Sequence, residues 1–315
     1  MNKNINRESL LVISGQISIL LIGFAIKYVQ TDGLSPLEFG NYTFISSFIS
    51  FSILFFQFGL IPSLKVVIAE AESPEKERKL IGMGFIITLL LGLIFGLFVF
   101  ICSFFIDELF NTDVGSIFLI LAPFFSSFML ISFYNSIGIG SGKPALGIYF
   151  EVFSRLIYLL SIFWILDTSL FTIENVFLFS AISHLLSALI FLILFKPHFV
   201  DLKESLNSLL AKHKEFGRDY YLGSIANQSA FKLDDLLISA WVSPIQLGFY
   251  SLARLISSPI AMASIALNNA LFKTYAKSDR IESKIFVINT AISLLIASLI
   301  NILGYQLIKL FFGDD

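Results

Sequence analysis

The chain has 315 residues, 56% of them hydrophobic, and Phe alone contributes 36. Only 14% are charged, against roughly 25% in soluble domains, so water cannot be the solvent for most of the surface and lipid has to cover it. The formal net charge of −2 says nothing about nucleic acid, but there is no basic stripe to bind it and no such partner is expected, and the single cysteine, Cys102, excludes an intrachain disulfide or a cysteine metal site.

Lys3 and Arg7 precede an apolar run over 9–29. That run is longer than the roughly 7–15 residues of a signal-peptide core and lacks a small-residue cleavage site, so it reads as a retained first span. Further runs near the roughly 20 residues needed to cross the hydrocarbon core follow at 42–64, 81–106, 115–136, 145–165, 175–195, 219–241, 249–271 and 285–308. They are continuous and not alternating, which predicts helices over strands. The fold class is all-α: a polytopic, two-lobed integral membrane bundle of about nine spans. Gly92 and Gly96 in the third span form a GxxxG, a mark of close helix packing.

Loops on one side hold Lys65, Lys76, Arg78 and Lys79, then Lys143, then Lys196, Lys203, Lys212, Lys214 and Arg218, then Lys273, Lys277, Arg280 and Lys284. The alternate loops, 30–41, 107–114, 166–174 and 242–248, contain seven acids and no Lys or Arg. The positive-inside rule therefore predicts a multi-pass membrane protein with the first set of loops and the N-terminus in the cytoplasm. Three domains are expected: residues 1–196 with spans one to six, a cytoplasmic linker at 197–218, and 219–315 with spans seven to nine. In the linker, Asp201 and Glu204 have capping-box spacing, and Leu202, Leu206, Leu209 and Leu210 share one face of an expected interfacial helix.

An internal repeat crosses these domains. Residues 35–42 read S-P-L-E-F-G-N-Y and residues 243–250 read S-P-I-Q-L-G-F-Y, an offset of 208 that also relates Lys65 to Lys273. Both copies fall in an outer loop, where Pro and Gly are expected to shape the turn. Six spans per repeat make the copies parallel, related by an axis along the membrane normal. The second copy holds three spans, so a C-terminally truncated second lobe is expected.

S-P-L-E-F-G-N-Y, Q-F-G-L at 57–60, A-P-F-F at 122–125, G-S-G-K at 140–143 and D-D-L-L-I-S at 234–239 together resemble the polysaccharide-biosynthesis, O-antigen flippase family of lipid-linked oligosaccharide exporters. That family shares a superfamily with multidrug and toxin extrusion transporters. The resemblance implies a chain with more spans than nine. It also implies a function: moving a polyprenyl-pyrophosphate oligosaccharide outward for O-antigen or other lipopolysaccharide-type surface polymers. The implied partners are that lipid-linked substrate, membrane lipids, and a polysaccharide polymerase or chain-length protein.

G-I-G-S-G-K at 138–143 lacks the first Gly and the Ser or Thr of a phosphate loop, holding Ile137 and Pro144 there; it reads as a tight turn. No nucleophile or metal signature is present, and no enzyme or cofactor is expected. Charges inside spans are costly and therefore informative. Glu151 and Arg155 share a helical face in span five, either as a self-paired couple or as part of a substrate site. Lys232, Asp234 and Asp235 lie in span seven and Arg254 in span eight, where they are expected to form a polar cavity wall. With the implied pyrophosphate substrate, Lys232, Arg254 and Arg155 become the substrate cations, and Asp234 and Asp235 candidate sites for a coupling H⁺ or Na⁺. Lys27 and Lys309 are expected to snorkel outward, and His184 to be a packed, hydrogen-bonded histidine. Two other readings remain at this point: a cation-coupled multidrug antiporter and an inactive truncated relic.

Overall fold

In the computed structural model, residues 3–110, 112–275 and 283–312 are described. They are helical, with no strand among them. The helices are α1 (Lys3–Gly33), α2 (Pro36–Phe56), α3 (Leu60–Ala69), α4 (Pro74–Cys102), α5 (Ile106–Phe110), α6 (Gly115–Phe125), α7 (Met129–Gly140), α8 (Pro144–Ile165), α9 (Ile173–Phe195), α10 (Leu202–Lys212), α11 (Arg218–Trp241), α12 (Pro244–Tyr275) and α13 (Ser283–Phe312). A 3₁₀ turn at Ser126–Phe128, after Pro123, joins α6 to α7 into one span, and a π-turn at His213–Gly217 joins α10 to α11. The chain is an all-α polytopic membrane protein. Seven segments of described residues are long and apolar enough to cross a membrane. The expected seventh and eighth spans, on α11 and α12, are not among them. Alpha11 has the length, but Lys232, Asp234 and Asp235 interrupt its apolar run.

Two compact units divide the chain, Met1–Leu247 and Gly248–Asp315. In the first, α8 packs between α1, α7 and α9, α4 lies on α6, α3 on α7, and α11 on α2. Alpha4 shows how one helix serves protein and lipid together. Gly84, Thr88, Leu91, Gly92, Phe95, Gly96 and Val99 are buried, while Leu90, Leu93, Ile94, Leu97 and Ile101 form an exposed apolar stripe suited to lipid. Gly96 sits 2.9 Å, as measured from an added Cβ, from the Ala122 carbonyl, so the GxxxG is a close helix crossing. In the second unit, α13 presents Leu294, Leu295, Leu299 and Ile302 as a similar exposed stripe.

The S-P motifs are helix starts and not the turn-shaping loops expected. Ser35 caps α2, Glu38 returns a bond to the Ser35 N–H at 2.9 Å, and Pro36 occupies the first turn, where its missing N–H costs nothing. In the second copy Ser243 accepts from the Gln246 N–H at 3.2 Å and Pro244 opens α12. A 208-residue offset therefore relates helix boundaries as well as letters: α1 ends at Gly33 and α11 at Trp241, and α2 and α12 begin on the equivalent prolines. The two motifs also touch, because Gly40 lies directly against the Pro244 carbonyl and 2.9 Å, from an added Cβ, from the Ile245 nitrogen.

The predicted span 42–64 is interrupted. Phe58 (φ 47°) and Gly59 (φ 69°) are left-handed, and the chain restarts as α3. Gly59 abuts the carbonyl of Gly217 in the π-turn, a contact a side chain would block. In the linker, Asp201 is itself left-handed (φ 52°) and makes no side-chain cap, so the expected capping box is absent. Its carboxylate instead pairs with Lys79 at 3.0 Å. Lys212 pairs with Glu70 at 2.9 Å, and Leu209 is buried, so α10 is strapped to α3 and α4. The basic start of α4, the loop after α9 and the turn before α8 thus meet at one end of this unit.

Candidate functional site

Among apolar helices, the polar side chains that face inward locate the site. On α1, Gly23, Lys27 and Gln30 are spaced to share a face. On α8, Glu151, Arg155 and Tyr158 do the same, and the two stripes face each other. An added Cβ on Gly23 would stand 3.4 Å from an Arg155 guanidinium nitrogen, so the absent side chain makes room for the cation. Arg155 Nε and Nη2 both donate to Glu151 Oε1, at 3.0 and 2.8 Å. The couple is thus self-paired, within reach of α1. Gln30, wholly buried, donates from Nε2 to the Tyr158 hydroxyl at 2.8 Å, and that hydroxyl lies 3.4 Å from the hydroxyl of Tyr42 on α2.

Lys27 closes the group. Its ammonium stands 4.6 Å from the ring centre of Phe39 and 5.2 Å from that of Tyr42, so it turns inward onto aromatic faces and does not snorkel as expected. Arg155 repels this charge and Asp235 attracts it. Asp235, only 4% exposed on α11, accepts from Ser47 Oγ of α2 at 2.8 Å. The neighbouring Asp234 turns back and accepts from the Asp235 N–H at 2.9 Å. Lys232 is half-buried on the same helix. His184 on α9 is packed and hydrogen-bonded, Nδ1 lying 2.7 Å from the Ser180 carbonyl; a carbonyl only accepts, so that nitrogen carries the proton. Two buried acceptors, Gln30 Oε1 and Asn41 Oδ1, have no partner among the described residues, a demand that water or cargo can meet.

Five helices of the first unit, α1, α2, α8, α9 and α11, therefore converge polar groups on one region, bringing Glu151, Arg155 and Asp235 to it. Arg254 belongs to the second unit, with its guanidinium 4.7 Å from the Tyr250 ring one turn earlier on α12. Lys27, Gln30, Tyr42, Ser47 and Tyr158 were not anticipated from sequence. The three- and four-residue spacing of Gly23, Lys27 and Gln30 was the available signal. Glycine 142 (φ 68°) confirms the tight turn at G-S-G-K, where the Lys143 N–H reaches back to the Gly138 carbonyl at 2.8 Å, closing α7 as a Schellman cap.

The chain is an all-α membrane bundle whose first unit gathers charged and polar side chains in one region. A multidrug resistance MATE family transporter of the MOP superfamily, solved in an inward-facing conformation, is similar in fold: TM-score 0.64, covering 96% of this chain and 75% of that one, at 16% identity. The sequence profile of the polysaccharide biosynthesis protein family matches residues 5–272, and the chain belongs to that family. No curated protein sequence matches. The chain is thus a polysaccharide biosynthesis family member with a MATE-like fold.

Proposed function

We propose that the protein moves a lipid-linked, pyrophosphate-bearing oligosaccharide from the cytoplasmic to the outer leaflet. The observation that carries this reading is the interior charge group. Lys27 sets its charge beside aromatic rings with Arg155 near it, and Glu151 and Asp235 keep the region near neutral until cargo arrives. A pyrophosphate loses its hydration on entering such a region, and pre-placed cations replace that loss. Lys232 adds to the cations of the first unit in this reading, Arg254 in the second unit is a further candidate substrate cation, and Asp234 and Asp235 are the candidate carriers of a coupling H⁺ or Na⁺. A sugar headgroup suits the hydroxyls of Tyr42 and Tyr158 and the free acceptors of Gln30 and Asn41. The multidrug reading is disfavoured by the same cations, which would repel a cationic drug. The working location is the bacterial inner membrane, with polysaccharide polymerase or chain-length proteins as partners.

The test reconstitutes the chain in vesicles carrying a fluorescent polyprenyl-pyrophosphate sugar and follows the fraction exposed to an impermeant quencher. Active protein should expose substrate from both leaflets. Lys27→Ala should slow this at least tenfold and Lys27→Arg should keep part of it, since the role is charge. If Glu151→Ala with Arg155→Ala moves substrate normally, that pair is structural and leaves the site. Movement of a cationic dye with no movement of the sugar lipid would overturn the flippase reading.

A further inference from the structure

At the end where the basic loops meet, a second cationic group lies outside the interior site. Arg78 near the start of α4, Lys143 in the turn before α8 and Lys196 at the end of α9 line one cavity of about 110 Å³, together with Glu77 and Leu194. That volume exceeds the roughly 10–15 Å³ a single water requires, leaving room for a tetrahedral anion and its waters. Nearby cations are neutralised: Lys79 by Glu75 and Asp201, Lys212 by Glu70 and Glu215. Arg78, Lys143 and Lys196 are in no ion pair among the described residues. Glu77 alone leaves the lining with a surplus of two positive charges.

The backbone is built to hold this arrangement. Lys196 is left-handed (φ 49°), a conformation a lysine adopts only at a cost. Two residues on, the His198 N–H donates to the Arg78 carbonyl at 2.9 Å, and the His198 carbonyl fits against Gly82. That contact fixes the end of α9 to the start of α4 and brings Lys196 beside Arg78. A plain loop would place the lysine in water without strain.

We infer that this cavity binds a phosphate group. An anionic phospholipid headgroup is the favoured source, because Leu194 in the lining is 54% exposed, next in sequence to exposed Ile193, and the loop that follows exposes Phe199 and Val200. The opening thus stands where an acyl chain could leave along the helices, on the side the Lys and Arg count assigns to the cytoplasmic leaflet. Basic pockets between spans at that depth suit such headgroups.

Thermal unfolding of the purified full chain tests this, in lipid discs of phosphatidylcholine with and without phosphatidylglycerol. A parallel arm adds millimolar inorganic phosphate to discs of phosphatidylcholine alone. Wild type should melt higher with phosphatidylglycerol. Lys143→Gln with Lys196→Gln should lose most of that shift, and Lys143→Arg with Lys196→Arg should keep it. Lys196→Gly guards against misfolding: it relieves the left-handed strain, so basal stability should rise while the lipid response falls. A shift produced equally by inorganic phosphate, and lost in the same variants, would keep the phosphate site and assign it to a soluble ligand. Equal responses of wild type and the Gln variant to both anions, or no response in either, would overturn the inference.

Discussion

Gly40→Ala measures the contact between the two repeat motifs. In a helix the change is normally favourable, by about 0.8–1 kcal/mol, because alanine restricts the unfolded chain and suits the helix. Here the added methyl would overlap the Pro244 carbonyl and come within 2.9 Å of the Ile245 nitrogen. Both are backbone atoms at the capped start of α12, so no side chain can swing aside. Restoring van der Waals separation means moving one helix start away from the other, an overpacking cost of about 1–3 kcal/mol. The balance is a net loss of up to roughly 2 kcal/mol. Gly223→Ala in α11 is the matched control, since an added Cβ there meets nothing within 4 Å, and it should gain about 0.8–1 kcal/mol. Thermal unfolding in detergent, followed by tryptophan emission, should separate the two by opposite signs. A Gly40→Ala protein as stable as Gly223→Ala would refute the motif contact.

Ser35→Ala should cost about 0.5–2 kcal/mol in the same assay, since it removes the α2 cap; an unchanged melting point would show that Pro36 alone fixes the start. Single cysteines near Gly33 and Ser169 in a Cys102→Ala background should react with an impermeant thiol reagent outside sealed cells, and those near Ser73 and Ser208 should not. Labelling of the second pair would invert the orientation. Hydrogen bonds and ion pairs to Glu70 and Glu215 raise the Lys212 ammonium above its ordinary 10.5. A raised folded value means that the stabilisation is full below 10.5 and disappears as pH rises through the folded value. Proteolysis at α10 should therefore accelerate at strongly alkaline pH in wild type, and Lys212→Gln should show no such step.

The helical class and most span positions were legible because lipid-facing stretches repeat one demand, apolar side chains over a fixed length. Local caps were harder. Ser35-x-x-Glu38 and Asp201-x-x-Glu204 have the same pattern, yet only the first is a capping box. Pro36 distinguishes them, because a proline at the first helical position already holds the dihedral the helix needs. Asp201 lacks that constraint, and Lys79 on another helix competes for its carboxylate. The break in Q-F-G-L was equally hidden. Its cause is the close approach of Gly59 to Gly217, a partner more than 150 residues away.

Lys27 shows the same limit at the site itself. A lysine near the end of a span reads as one reaching for water, because sequence shows distance to the interface and not what stands beside the chain. Its neighbours Phe39 and Tyr42 come from the next helix, whose start the capping box sets. Gly23 one turn earlier admits Arg155 to the same face, so two like charges are held near each other on partly buried side chains. Such an arrangement is costly unless an anion offsets it, and Asp235 and Glu151 supply part of that offset from separate helices. Because Glu151 is engaged by Arg155 and Asp235 by Ser47, neither acid is committed wholly to Lys27. Under the proposed function, the charge at Lys27 is what a phosphate-bearing cargo would meet, so export should depend on this lysine more than on the acids of α11.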